Sequence, residues 1–356
     1  MSHLFTPITL RDLEVGNRIW LAPMCQYSCS DRDGMPGDWH LVHLGARAQG
    51  GFGLILTEAT AVRPEGRISP QDTGIWNDEQ AVAWRRIVDF VHSQGAAIGM
   101  QLAHAGRKAS TYAPFPGNPR GSVPESEGGW TTRGASAIAY PGYDTPVEMT
   151  HDDIAEVVDA FAQAARRAIT AGFDTVEIHA AHGYLLHSFL SPLSNSRTDE
   201  YGGDLAGRAR LLHDVHAAVR EAVGERVPVI VRLSASEWRE DGFDISQAVS
   251  VSTELRAAGA DLVDVSSGGN MPVTIPVGPG YQVPLSAAIR SAGVPTGTVG
   301  LITEPDQAET ILATGQADVI FLARVALREP GWPQRAAHEL GVDPGPYPPQ
   351  YLRGAW

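Results

Sequence analysis

The chain has 356 residues, 43% of them hydrophobic and 19% charged, with 27 basic against 41 acidic side chains and a formal net charge of −14. That is ordinary globular composition, and the length suits either two average domains or one large α/β barrel. The negative balance argues against a nucleic-acid partner or an anionic membrane surface, both of which would be repelled.

Short β-rich apolar runs alternate with helical patterns along the chain, the mark of a parallel sheet wrapped by helices. Candidate strands begin at Ile19–Ala22, Leu54–Glu58 and Ala97–Leu102, and continue at Val176–His179 and Val229–Arg232. Leu262–Val265, Thr296–Val299 and Val319–Leu322 complete a set of eight. Between them, Asp78–Ser93 carries apolar residues at helical spacing and is closed by Gly95. Thr150 and an acidic first turn open a helix over Ile154–Ala171 that stops at Gly172. Further helices fit Leu205–Val223, Ser246–Ala258, Val283–Ala292, Pro305–Thr314 and Trp332–Leu340. Eight strand–helix units predict a single (β/α)8 TIM barrel over 1–356, with a doubly wound open sheet as the alternative. Residues 104–148, after the third strand, are rich in Gly, Pro, Ser and Tyr without helical period and predict a capping insertion. Gly268–Tyr281 after the sixth strand is a second irregular stretch.

No apolar run approaches the ~18–20 residues of a membrane span. Met1–Pro7 lacks the regions of a secretory signal, and Cys25 and Cys29 are too few for a disulfide framework. A cytoplasmic protein with reduced thiols is expected.

In a barrel the functional groups gather where the strands end. Here those ends carry Ala22-Pro23-Met24-Cys25, Glu58-Ala59-Thr60, Gln101, Arg232 and, beyond the fourth strand, His179, His182 and Tyr184. They include no pair of carboxylates, no Gly-x-Ser-x-Gly and no phosphate-binding Walker loop. Two imidazoles and a phenol so close together suit a site that holds an anionic oxygen and delivers a proton. Thr298-Val299-Gly300 and Leu322-Ala323-Arg324 occupy the usual phosphate loops of a barrel and offer backbone N–H groups and a guanidinium. Gln101 and Arg232 have the donors to hold a flat heterocycle, with Arg232 stabilising negative charge on it.

These residues resemble the old yellow enzyme family of FMN-dependent ene-reductases, most closely its cysteine-containing branch of xenobiotic reductases and thermophilic-like enzymes. The matching text is Asn17–Ile19, Pro23–Tyr27, Thr57–Val62, Gln101–Lys108, His179–Gly203, Pro295–Ile302 and Gln350–Trp356, in order along nearly the whole chain. The resemblance implies FMN held by Ala22, Pro23, Met24, Cys25, Ala59, Gln101, Arg232, Gly300, Ala323 and Arg324. It implies that NADPH or NADH reduces FMN and leaves before an activated alkene, an unsaturated carbonyl or nitro compound, enters the same site. His179 and His182 would bind the activating oxygen, Tyr184 would protonate the α-carbon, and Tyr27 would line the pocket. Cys25 would tune the flavin rather than act as a nucleophile. Arg353, with Trp356 beside it, would reach a neighbouring subunit's site from a tail over 341–356, implying a homodimer or dimer of dimers. The chain departs from the family pattern at Ala323, where Gly is usual, and at Gly207, where Asn is usual.

Blander readings stand beside these. Cys29 reads as a packed residue, and His104, His151, His187, His213 and His216 as surface or structural. His179 and His182 could instead be a metal pair in a barrel hydrolase, with His187 or Asp199 as a third ligand. A barrel serving only as a binding module is a third possibility. Arg353 alone reads as a solvated tail residue.

Overall fold

A computed structural model describes residues 2–343, 345 and 347–355. The chain opens with an antiparallel hairpin, β1 (Ile8–Leu10) and β2 (Leu13–Val15), turned through Arg11 at φ 50°. β3 (Ile19–Leu21), α1 (Asp38–Gln49), β4 (Leu54–Leu56), the two-residue β5 (Thr60–Ala61), α2 (Asp78–Ser93) and β6 (Ala97–Ala103) follow. β7 (Arg133–Gly134) and β8 (Val147–Glu148) pair with each other. Next come α3 (His151–Ala171), β9 (Thr175–Ala180), α4 (Leu185–Leu190), α5 (Leu205–Val223), β10 (Val229–Ser234) and α6 (Ile245–Ala257). The chain continues through β11 (Leu262–Ser266), α7 (Val283–Ser291), β12 (Thr296–Thr298), α8 (Pro305–Ala313), β13 (Val319–Leu322), α9 (Arg324–Arg328) and α10 (Trp332–Leu340).

Eight parallel strands close in the order β3-β4-β6-β9-β10-β11-β12-β13, and β13 returns to β3 with Ile320 opposite Ile19. Closure excludes the open doubly wound sheet and establishes the (β/α)8 barrel. Alternate residues point inward. Trp20, Leu54, Leu56, Ile230, Leu262, Val319 and Phe321 fill the barrel where the strands begin, and Leu10 and Val15 of the hairpin close that end. The outward residues, Ile98, Val176, Ile178, Val231, Val263 and Ile320 among them, pack under the helices with Val88, Val157, Phe161 and Leu212. The interior is therefore apolar at one end and free to be polar at the other.

Helix limits follow local chemistry. Asn77 and Gln80 cap α2 reciprocally, Thr150 and Asp153 do the same for α3, and Gly172 ends α3 at φ 100°. α5 begins at Leu205, with Asp204 accepting the Gly207 N–H at 2.9 Å. A Cβ on Gly207 would stand 2.0 Å from the Gly202 carbonyl oxygen, so this turn is tight enough to need the glycine.

The hairpin, α1, α4 and α9 have no counterpart among the sequence expectations. α1 turns His40, His43 and Arg47 inward beside Leu44 and Ala48, and leaves Trp39 and Val42 exposed, which blurs its period. α4 is buried on all sides, so it has no polar face to reveal it.

Candidate active site

β9 runs through an apolar environment and then delivers His179 into the barrel. His179 Nδ1 accepts the Ala181 N–H at 3.2 Å, which leaves Nε2 as the ring's donor. The chain then turns through two left-handed residues, His182 at φ 59° and Gly183 at φ 75°. A Cβ on Gly183 would lie 2.5 Å from the Gly269 carbonyl oxygen, so only glycine fits there. The turn is pinned by the His182 N–H to Ser234 Oγ at 2.9 Å and the Gly183 N–H to His187 Nδ1 at 2.8 Å. His182 Nε2 lies 2.7 Å from Ser266 Oγ.

The turn brings three rings together. His179 and His182 stand nearly perpendicular with centroids 5.2 Å apart, and Tyr184 is 5.0 Å from His179. Burial first, then the Arg232 charge, holds both imidazoles well below their ordinary range, so both are neutral. Burial pushes the Tyr184 phenol well above its usual value, so it keeps its proton.

After β3, Ala22 still donates to Leu322 as if in a strand, and Pro23 and Met24 lead to Cys25. The Glu58 carboxylate accepts the Gln26 N–H at 2.7 Å, and Tyr27 follows at φ 52°. Cys25, Tyr27 and Tyr184 pack with Trp130 against Ala59, Ala103 and Ala105. Burial, reinforced by Asp72 and Glu58, pushes the Cys25 thiol well up, and burial also raises Tyr27. Cys25 is a thiol here, not a thiolate.

The polar floor holds two carboxylates that the sequence does not single out. Glu177, inside β9, and Asp264, inside β11, are buried carboxylates in the barrel, near enough for the Asp264 charge to act on Glu177. Gln101 Nε2 donates to Glu177 Oε1 at 2.7 Å, and Arg232 Nε lies 3.1 Å from Asp264 Oδ2. Burial raises both acids, with the Asp264 charge adding to the effect on Glu177. Nothing local in Thr175–Ile178 marks Glu177 as functional. Only the strand register sets their partners beside them, Gln101 opposite Glu177 and Arg232 opposite both His179 and Asp264.

Beyond the floor, a cavity of about 230 Å³ is lined by Arg232, Ser266, Gly300, Ala323, Arg324 and Arg328. Gly300 sits at φ 132° against Tyr281 and Gln282, where a side chain would be strained. The expected residues thus form two groups that meet at Arg232: His179, His182, Tyr184, Cys25, Tyr27 and Ala59 on one side, Gly300, Ala323 and Arg324 on the other. Arg353 is not with them. It is exposed in the short turn Pro349–Gly354, whose neighbour Leu352 lines a cleft with Ala337 and His338 of α10. Trp356 lies outside the described residues.

The metal alternative lacks its third ligand. Among the described residues, the one His/Asp/Glu group with ligand atoms in mutual reach is His151, Asp199 and Glu200, which includes neither His179 nor His182. His187 faces Glu237, and Asp199 is held by Arg197. His104 and His216 are buried and His151 and His213 lie nearer the surface, in keeping with structural or surface roles.

Lys108 carries no signal in the sequence that singles it out. Its Nζ donates to the carbonyls of His182 and Gly269 at 2.7 and 2.8 Å and lies over the Tyr184 and Tyr140 rings. Burial, and the neighbouring Arg107, push it down to about 7.

A model of the NADH:flavin oxidoreductase / NADH oxidase family matches residues 3–343. The chain belongs to that family. It is 49% identical over 99% of its length, and 98% of the relative's, to an NADPH dehydrogenase of Geobacillus thermodenitrificans. Morphinone reductase superposes with a TM-score of 0.79 at 28% identity, covering 98% of this chain and 92% of that one. A 2-naphthoyl-CoA reductase superposes at 0.86 with 26% identity over 95% of this chain, which spans 52% of its length. The chain is therefore an enzyme of the old yellow enzyme family, a flavin-dependent oxidoreductase of the ene-reductase type, with FMN as cofactor and NADPH or NADH as reductant. The residues present fit that cofactor. Arg232, braced by Asp264, stands at the edge of a cavity that Arg324 and Arg328 make cationic, the lining an anionic phosphate needs. Among the described residues no helix is long and apolar enough to cross a membrane.

Proposed function

We propose that the protein reduces the activated C=C bond of α,β-unsaturated carbonyl or nitro compounds by a ping-pong cycle, with NAD(P)H and the alkene using one site in turn. Bound FMN supplies the hydride chemistry, and the side chains do the rest. Ala22 to Cys25, Ala59 and Gln101 flank the ring, with Arg232 as the fixed positive charge beside it. Gly300, Ala323 and Arg324 hold the phosphate, through backbone N–H groups and the Arg324 guanidinium.

The observation that carries this reading is a pair of neutral imidazoles beside a protonated phenol at the strand ends. His179 offers its Nε2–H. His182 offers its Nδ1–H when the Ser266 hydroxyl donates to Nε2. Two N–H donors aimed at one oxygen polarise the alkene and stabilise the enolate-like charge that develops. Being neutral, they bind the oxygen without surrendering a proton to it. Tyr184 keeps its proton until a carbanion strong enough to take it forms at the α-carbon, and so acts as general acid. Tyr27 lines the pocket and its hydroxyl lies near the same oxygen. Cys25, a half-buried thiol, adjusts the flavin's potential as a weak donor. Residues 104–148 cap the mouth through Trp130 and Tyr140. Arg353 and Trp356 serve a neighbouring subunit's site, which makes the working form a homodimer or dimer of dimers.

Titration of the flavin spectrum with a phenol tests the oxygen-binding pair. The wild type is expected to bind with a long-wavelength band. Replacing His179 and His182 together by Ala should abolish that band and slow enone reduction by about 10²-fold or more. Flavin reduction by NADPH should suffer far less. A double variant that binds phenols as the wild type does removes the assigned role.

A further inference from the structure

Two buried imidazole–carboxylate pairs lie just behind the mouth and take no part in the chemistry proposed above. In the first, His187 Nδ1 accepts the Gly183 N–H at 2.8 Å, and His187 Nε2 lies 3.1 Å from Glu237 Oε1. Glu237 Oε2 in turn accepts from Ser191 Oγ at 2.9 Å and from the Phe243 N–H at 2.7 Å. In the second, His40 Nδ1 accepts the Gly37 N–H at 2.9 Å, and His40 Nε2 lies 3.0 Å from Glu58 Oε1. Glu58 Oε2 accepts the Gln26 N–H at 2.7 Å. In both pairs the Nε2 and Oε1 atoms are buried and face each other in close contact, with no hydrogen bond to any other group.

The wiring is the same twice. Each Nδ1 receives a backbone N–H, so each ring must carry its proton on Nε2 and turn it toward the carboxylate. Each carboxylate must then be an acceptor on both oxygens. Such fully desolvated pairs contribute little net stability over apolar packing. Their value lies in fixing geometry.

What they fix is next to strain. His182 and Tyr27 are non-glycine residues at φ 59° and 52°, a left-handed backbone that is strained for an L residue. Gly183 follows His182 directly and is held by the first pair. Gln26 precedes Tyr27 directly and is held by the second. We propose that His187–Glu237 and His40–Glu58 are positioning pairs, each holding one mouth residue, His182 or Tyr27, in its left-handed backbone through a relay with one permitted tautomer. The proposal rests on the function assigned above only for the meaning of those two side chains.

Glutamine in place of either glutamate tests it, because one amide oxygen cannot satisfy two donors. In Glu237→Gln it can face His187 or the Phe243 N–H, and in Glu58→Gln it can face His40 or the Gln26 N–H. Glu237→Gln is expected to weaken phenol binding to the FMN-loaded protein about 10-fold or more, with the flavin midpoint potential unchanged. Glu58→Gln is expected to shift the midpoint potential through the Cys25–Tyr27 loop and, since Tyr27 lines the same pocket, to weaken phenol binding less than Glu237→Gln does. Equal effects of both variants on both readouts, or none, overturn the proposal. Should either variant fail to fold, long-range proton–nitrogen spectra of the wild type still decide. His40 and His187 must appear as neutral Nε2–H tautomers, and an Nδ1–H tautomer or a doubly protonated ring at either position overturns the relay. A wild type that binds no phenol refutes the assigned function instead and leaves this spectroscopic result standing.

Discussion

At the scale of single residues, burial denies charge to four ionisable groups at the strand ends. His179, His182, Tyr184 and Cys25 are each pushed toward the neutral form, and burial is the leading cause in every case. A neutral donor stabilises developing charge without neutralising it beforehand, which suits a transition state more than a bound ground state. Tyr184→Phe removes the proton but not the ring. It should slow turnover of enones at least 10-fold and leave flavin reduction near wild type, read by stopped-flow absorbance of the two half-reactions. Nitro compounds, whose reduced anion is stable without a proton, should suffer less. Cys25→Ser should move the flavin midpoint potential while FMN stays bound. Release of FMN, or no change in either half-reaction, would show that the thiol serves packing alone.

At the scale of elements, strand register and helix caps place these residues. The eight strands and the seven helices expected from α2 onward lie within about three residues of their expected limits, because amphipathic period, capping residues and terminal glycines are local signals. α1 and α4 were illegible for opposite reasons: one buries polar groups, the other exposes nothing. Gly207 permits the cap of α5 rather than weakening it, since the Gly202 carbonyl occupies the place a side chain would need. Asp204→Ala should therefore cost about 1 kcal/mol of stability by urea denaturation, with phenol affinity unchanged. A loss of phenol affinity as well would tie α5 to the mouth more directly than its cap does.

At the scale of the whole molecule, buried ionisable groups set opposing pH dependences. Burial holds His43 down to about 3 and His104 and His216 down to about 4, and holds His179 and His182 well below the ordinary range. Unfolded, these rings titrate near ~6.5. Below that pH the unfolded chain binds protons that the folded chain refuses, so stability falls as pH drops from about 6.5 toward about 4. Asp72, Glu177 and Asp264 are raised by burial and act with the opposite sign. The folded state keeps protons that the unfolded state gives up above about pH 4, so their contribution is lost as pH rises. The five imidazoles outnumber the three carboxyls on the acid side, whereas above pH 6.5 Asp72 and Glu177 are opposed by Lys108, which burial holds down to about 7. The urea midpoint should fall from pH 6.5 toward pH 4.5 and change much less above pH 6.5. A midpoint that climbs steadily from pH 6.5 to 4.5 contradicts this assignment of buried charges.

The order of strands and helices, the His179–Tyr184 cluster and the residues of the loops after β12 and β13 are written in short stretches of sequence, because period, caps and ring-bearing turns are properties of neighbours along the chain. The closure of β13 onto β3, the Glu177–Asp264 floor, the Lys108 contact and the twin imidazole–carboxylate relays were decided only by tertiary structure. Each joins residues tens to hundreds of positions apart, and a carboxylate within an apolar strand acquires its meaning from what the barrel's register sets opposite it.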